Sequence, residues 1–504
     1  MAQALRQRYA PGPAPFDVAV LDVGSNSVRL VVYRVEGRAI WSLFNEKVQA
    51  GLGRDIGRTG ALSPAGVEAA LAALRRFRAV LDAVRPKAVY SAATAAVREA
   101  SDGRAFIARV KAETDFELNI IAGDEEARLA AVGVIAGAPG ADGVAGDLGG
   151  SSLELVRLDH GRPGRGITLP LGPFALGLGR TFDAAAVYKE AQKRLARVDG
   201  FSAHTFYAVG GAWRSLALLH MRMTDYPLEI LQQYEISAAE ALDACRFAAR
   251  QSRSSLERID GISKKRIEAL PFAAIVMQAL IEALDFERVC ISAYGLREGL
   301  VFDAMAPDLR ARDPLIEGCA ALGARQEIAE DLGEALYAWL EPALSTLPPQ
   351  FDPGRDAILA AAACRLADLG SRLHPDHRAD LVFDQVLRAP VAGMNHAERA
   401  FLALSLFARH TASANTPQPR IIGRLLSLER QQRARALGAA MRLGCDLSGR
   451  SSALLARSTL KLDDRYVRVL AQKDAADLLL GEQTARRAQT LAVLLEREAK
   501  LTAQ

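Results

Sequence analysis

The chain has 504 residues, half of them apolar, and a formal net charge of +4, enough for large cores and several domains. No apolar stretch approaches the roughly 20 residues that span a bilayer, the amino terminus lacks a secretory apolar run, and the charge is too small to mark the whole chain as a nucleic-acid binder. Five scattered cysteines without Cys-x-x-Cys spacing exclude a disulfide framework or a structural zinc site and read as reduced, mostly buried thiols, so the chain is read as cytoplasmic.

Residues 1–15, ending in Pro11-Gly-Pro-Ala-Pro15, read as a flexible arm. From 16 to 140 strands and helices alternate: a hairpin around Asp22, a helix over Pro64 to Val84, a strand at Ala88 to Ser91 and a helix over Arg104 to Thr114. A strand follows at Leu118 to Ile121, then a helix capped by Asp124 and running to about Ile135. Residues 141–307 repeat the plan, with a second hairpin around Asp147, a strand at Phe206 to Val209 and a helix from Gly211. A long helix around Arg266 to Leu284 and a strand at Arg288 to Ser292 complete it. From 308 to 504 helical periodicity dominates, apart from a possible hairpin in Ser458 to Leu470. Between Arg420 and Arg468 eleven Lys/Arg stand against four Asp/Glu, a segment that suits a polyanion or simply a solvated helical face.

The two hairpins are versions of one another. Asp22-Val-Gly-Ser-Asn-Ser-Val-Arg-Leu-Val31 and Asp147-Leu-Gly-Gly-Ser-Ser-Leu-Glu-Leu-Val156 share the frame Asp-x-Gly-x-x-Ser-x-x-Leu-Val, the second 125 positions after the first. Turns of this kind present backbone N–H groups to an anion while the strand-end Asp faces a metal or a water. Two α/β lobes opened by the same loop suggest a duplication with a cleft between them, its loops closing on one phosphate chain. The phosphate-binding candidates are Gly24, Ser25, Asn26 and Ser27 on one side and Gly149, Gly150, Ser151 and Ser152 on the other, with Arg98 as a guanidinium clamp.

Motifs in order along the chain carry a resemblance: the two hairpins, Thr94-Ala-Ala-Val-Arg98, Ala122-Gly-Asp-Glu-Glu-Ala-Arg-Leu129, Val209-Gly-Gly-Ala-Trp-Arg214 and Ser292-Ala-Tyr-Gly-Leu-Arg-Glu-Gly299. They resemble the exopolyphosphatase / guanosine pentaphosphate phosphohydrolase family of the actin-like ATPase superfamily. The resemblance implies an α/β fold of two actin-like, ribonuclease H-like lobes, followed by a mainly helical, degenerate HD-like domain. It further implies that Glu126 is the catalytic base, that Asp147 helps hold Mg²⁺, and that Glu154 approaches the same water or metal. Asp22 is a second metal-side candidate. Glu125 is kept in reserve as the base, since it sits about 100° from Glu126 around a helix.

Two departures stand out. The family's second loop has a third glycine where Ser151 stands, and the HD histidine is replaced by Ala367 in Arg365-Leu-Ala-Asp-Leu-Gly370, which argues against metal-dependent HD chemistry there. Gly210 and Gly211 fall where nucleotide-binding relatives seat adenosine, with Trp213 beside them to crowd a base or stack on it. Arg297 and Glu298 are read as structural, and His374 and His377 are assigned no metal because Pro375 between them favours a loop.

The leading expectation is a Mg²⁺-dependent exopolyphosphatase acting on inorganic polyphosphate, as a homodimer, with the Arg-rich third domain extending the binding track. Guanosine pentaphosphate is the alternative substrate. A kinase-like or switch-like nucleotide-binding protein and a non-catalytic polyphosphate binder are the competing classes.

Overall fold

A computed structural model describes residues 14–178, 181–262, 266–324, 331–352 and 354–504; most of the expected amino-terminal arm lies outside them. The chain forms two compact units, Ala14–Ala311 and Arg312–Gln504.

The first unit is built on two sheets. Strands β1 (Phe16–Val23), β2 (Val28–Glu36) and β3 (Ala39–Val48) form an antiparallel meander, and β4 (Ala88–Ala93) joins β1 in parallel, giving the order β3-β2-β1-β4. The second sheet repeats this with β5 (Gly143–Leu148), β6 (Leu153–Asp159), β7 (Arg162–Leu169) and β8 (Thr205–Val209). It then adds β10 (Arg288–Ile291) and β9 (Tyr234–Ser237) in the order β7-β6-β5-β8-β10-β9. Central strand β1 is apolar on both faces because both are covered: Leu21 packs with Leu71, Leu74 and Phe77 of helix α1 (Pro64–Val84), while Val18 and Val20 lie with Ala127, Ala131 and Val134.

Those last residues belong to a helix that begins at the cleft. After the short helices α2 (Ala95–Glu99) and α3 (Gly103–Thr114), the chain enters α4 (Gly123–Gly137), whose first turn holds Asp124, Glu125 and Glu126. In the second lobe α5 (Ala184–Leu195), α6 (Gly211–Met223), α7 (Ala238–Arg250) and the almost wholly apolar α8 (Leu270–Leu284) cover the sheet, and α9 (Leu296–Asp303) closes the lobe. Helices α4 and α9 cross at glycine. A Cβ on Gly133 would stand 2.1 Å from the Gly295 carbonyl oxygen, and one on Gly299 would stand 1.9 Å from that of Leu129. No side chain fits at that crossing, where the helices run in opposite senses, residue 133 against 295 and 129 against 299, so that Arg128 near the start of α4 reaches Asp303 at the end of α9.

Several sequence expectations shift. Leu118 to Ile121 is extended but pairs only through an isolated bridge between Ala93 and Ile120, so it is no strand of its own. The cap of α4 is Ala122, with Asp124 inside the first turn, and α8 starts at Leu270, where Pro271 suits a first turn. Strands β3, β7, β9 and the last strand of the chain are additions to the expected set. The β7 segment Arg-Pro-Gly-Arg-Gly-Ile-Thr-Leu is exposed and glycine-rich, and lacks the alternation that marks a strand with one buried face.

The second unit is helical, its longest elements being α10 (His396–His410) and α11 (Leu428–Ser448). A small sheet of β11 (Ser458–Leu462), β12 (Tyr466–Ala471) and β13 (Glu498–Ala503) contains the expected hairpin plus a parallel third strand. At the position of the missing HD pair, Ala367 is buried and Asp368 forms an ion pair with Arg450 at 3.3 Å. The adjacent His410 ring bonds the Leu369 carbonyl, and burial pushes its pKa down to about 3. Much of the basic segment is engaged inside this unit. Arg430 lies over Phe351, Arg433 donates to the Pro348 carbonyl, Arg435 donates to the carbonyls of residues 413–415, and Arg468 pairs with Asp463. These guanidinium groups act as internal struts, which weakens the expectation of a polyanion track here.

Candidate active site

The duplicated hairpins place their aspartates at equivalent points. Asp22 ends β1 opposite Arg29 of β2, and Asp147 ends β5 opposite Glu154 of β6. Directly opposed residues in an antiparallel pair share a face. The same position in the repeat therefore carries a cation in the first lobe and an acid in the second.

The turns fold alike. Gly24 N–H donates to the Ser27 carbonyl at 3.0 Å and Gly149 N–H to that of Ser152 at 2.9 Å, so both amides close their own turns and neither is left for a phosphate oxygen. This corrects the expectation for Gly24 and Gly149 as donors. Each turn is held from outside by a neighbouring segment: Gly51 and Gly53 N–H donate to Asn26 and Ser25, and Gly172 and Phe174 N–H donate to Ser151 and Gly150. A Cβ on Gly150 would lie 3.8 Å from that of Ser25, so the two turns face each other. Together they line a cleft of about 620 Å³ with Ser25, Asn26, Ser27, Gly150, Ser151 and Ser152 on its wall.

Glu126 enters this cleft from the first turn of α4. Its Oε2 accepts from Arg98 Nη1 at 3.1 Å, and the same nitrogen donates to the Ile121 carbonyl at 2.8 Å. Arg98 is thus a strut behind Glu126 and does not line the cleft, a correction to its expected role as a phosphate clamp. Burial, opposed by Arg98 and assisted by Asp147 and Asp22, lifts the Glu126 carboxyl to about 7. Glu125 turns away, forming two bonds to Arg128, which also binds Asp303. The reserve assignment of Glu125 as the base is therefore wrong, for the reason helical geometry supplied.

Asp147 is raised to about 6 by burial, opposed by Arg214 and Arg297 and assisted by Asp22. Glu154 is raised to about 8 by burial and the neighbouring Glu126 charge, and its buried Oε1 has no hydrogen-bond partner. One oxygen of Asp22 is engaged: its Oδ2 accepts from Arg297 Nη1 at 2.8 Å. Arg297 is therefore a cleft residue, against the structural role expected of it, whereas Glu298 is structural, accepting from Tyr33 Oη at 2.6 Å and from Gly295 N–H. Trp213 neither crowds nor stacks on a base. It is fully buried, edge-on to Phe206, with its indole N–H bonded to the Ala273 carbonyl.

Sequence reasoning missed a set of cations: Arg29, Lys47, Arg54, Arg214 and Arg266 also line the cleft. Burial, with repulsion from Arg297 and Arg214 at Arg29 and from Arg266 and Arg297 at Arg214, holds both down to about 10. Arg29 and Arg214 lie inside the first hairpin and the Val209–Arg214 motif, which is the signal that could have found them. Arg266 lies flat over the Gly210–Gly211 turn and donates to the Gly211 carbonyl at 3.0 Å.

Residues 31–307, more than half of the chain, match the Ppx/GppA phosphatase family. The chain belongs to that family. Residues 353–502 match the carboxy-terminal exopolyphosphatase domain. Solved structures agree on the fold of the first unit. An Aquifex aeolicus member of the Ppx/GppA family is 22% identical with a TM-score of 0.52, covering 57% of this chain and 96% of that one. An exopolyphosphatase from Cytophaga hutchinsonii is 21% identical with a TM-score of 0.53, also covering 57% and 96%. The first hairpin turn precedes the family match, and its assignment rests on the internal repeat and on the geometry above.

Proposed function

We propose that this family member is an exopolyphosphatase, releasing orthophosphate from the end of inorganic polyphosphate. The observation that carries the reading is the meeting of the two repeated turns, the Glu126 carboxyl and a surplus of cations in one cleft. Hydrolysis of a phosphoanhydride needs an in-line water, a base to orient it and cations to bind the phosphoryl oxygens. In this reading the terminal phosphoryl group sits between the turns, bonded by Ser25, Asn26, Ser27, Gly150, Ser151 and Ser152. Glu126 takes a proton from the attacking water, and the bridging oxygen leaves with a chain one unit shorter. A carboxyl held near 7 is suited to that transfer at neutral pH. Arg98 positions Glu126, and Arg29 and Arg297 neutralise charge on the phosphates.

The residues present also fit Mg²⁺. Among the described residues no three His, Cys, Asp or Glu side chains form a cage, but this ion keeps several waters and binds through one or two carboxylates plus substrate phosphates. Asp147 and Glu154, whose buried Oε1 has no hydrogen-bond partner, would hold it, both being oxygen donors raised in pKa chiefly by burial. When bound, it supplies charge neutralisation at the phosphoryl oxygens. A nucleoside seated on the Gly210–Gly211 turn would have to displace Arg266, which favours a phosphate chain over a kinase-like role. Five free, buried cysteines suit a cytoplasmic protein, and a homodimer is the assembly expected of it.

The test is phosphate release from long-chain polyphosphate with and without Mg²⁺, beside guanosine pentaphosphate. Orthophosphate should appear from polyphosphate, one unit at a time and only with the metal. No release from polyphosphate, or release from guanosine pentaphosphate alone, would overturn the reading.

A further inference from the structure

The first sheet carries a row of charged residues at right angles to its strands. Asp22 of β1 pairs with Arg29 of β2, and Arg29 pairs with Lys47 of β3. Directly opposed partners share a face, and all three line the cleft. With neighbouring strands about 4.8 Å apart, the row runs roughly 10 Å from the Asp22 carboxylate to β3, the edge of the sheet.

The cations around the cleft differ in their engagement. On the second lobe, Arg214 and Arg266 donate to the Gly210 and Gly211 carbonyls. On the first lobe, Arg29 donates to Asn45, while Lys47 and Arg54 form no side-chain hydrogen bond or ion pair among the described residues. Partial desolvation and repulsion from Arg266, Arg29 and Arg297, against the attraction of Asp22, hold the Lys47 ammonium down to about 8. A local surplus of cations raises the local concentration of an anion. Within the row, Lys47 on the edge strand β3 is the cation that forms no side-chain hydrogen bond or ion pair among the described residues.

We infer that the polyphosphate chain leaves the reaction centre along the Asp22–Arg29–Lys47 row, and that Lys47 is a specificity-determining residue favouring chains long enough to reach the edge strand. This rests on the exopolyphosphatase reading above. Lys47 touches the unreacted part of the substrate, so its contribution falls on KM and not on kcat.

The test compares Lys47→Gln and Lys47→Arg with wild type on tripolyphosphate and on long-chain polyphosphate, at several salt concentrations. Because Lys47 is exposed, both variants should fold, and an unchanged Tm checks this. Lys47→Gln should lose about tenfold in kcat/KM on the long chain, through KM, and less than about twofold on tripolyphosphate. Its salt dependence on the long chain should become shallower by about one ion, by analogy with other polyanions, and Lys47→Arg should restore all three. Equal losses on both substrates, a loss in kcat, or no loss would overturn the row. Should wild type release phosphate from neither substrate, the exopolyphosphatase reading itself is the one that fails.

Discussion

Replacing Glu126 with Gln separates catalysis from binding and from stability. The amide keeps the shape and can still accept from Arg98, but it cannot take a proton. General-base assistance is worth about 10²- to 10⁴-fold, so kcat for phosphate release should fall by at least about a hundredfold. Stability should move the other way. A carboxyl lifted from 4.5 to about 7 costs roughly 3 kcal/mol more to ionise in the folded cleft than in the unfolded chain. The sign follows: the folded state holds the proton more tightly, so this contribution is fully present below 4.5 and is lost as pH rises through 7. At about pH 8 the neutral amide avoids that cost, offset in part by the weakened Arg98 pair. The variant's Tm should therefore equal or exceed wild type at that pH, and its Kd for long-chain polyphosphate, measured by titration without turnover, should change less than about threefold. Retention of more than about a tenth of wild-type kcat would refute Glu126 as the base; parallel loss of binding would show that it holds substrate instead.

Other outcomes follow from the same geometry. Arg98→Met should lower kcat about tenfold and move the acid limb of the pH–rate profile above 7, because Arg98 is what opposes the desolvation of Glu126; a drop in kcat with an unmoved limb would contradict the strut. Trp213→Ala should destabilise the first unit by about 3–5 kcal/mol in denaturant unfolding while leaving kcat of the folded fraction within a few-fold, whereas a base-stacking role would change KM for nucleotides at constant stability. Without metal, Tm should fall between about pH 5 and 8, as Asp147, Glu126 and Glu154 lose protons that the folded state prefers to keep at about 6, 7 and 8; Mg²⁺ should raise Tm more at the alkaline end, and an equal rise at both ends would speak against carboxylate ligation.

Glu126 and Glu125 illustrate how far a local rule reaches. Adjacent helical positions differ by about 100°, so the sequence said that one of the pair must leave the cleft. Which one left depended on Arg128 and Asp303, the latter 175 positions beyond Arg128. A guanidinium suits phosphate, but Arg98 spends its fork on the Ile121 carbonyl and the Glu126 carboxylate instead.

The amino-acid order alone determined the duplication, the two turns and the acids at their strand ends, because these are short-range patterns: a strand, a tight turn and a return strand specify their own hydrogen bonds. It also determined the helical character of the second unit through periodicity. Tertiary structure decided the cation set, since Lys47 meets Arg29 only across a strand pair and Arg266 meets Gly211 only when the second lobe closes. It likewise decided that Trp213 belongs to the core and Arg297 to the cleft. Charge and aromaticity fix what a side chain is able to do, but which face it occupies depends on sheet order and on the glycine-lined crossing of α4 and α9, contacts between residues far apart in the chain.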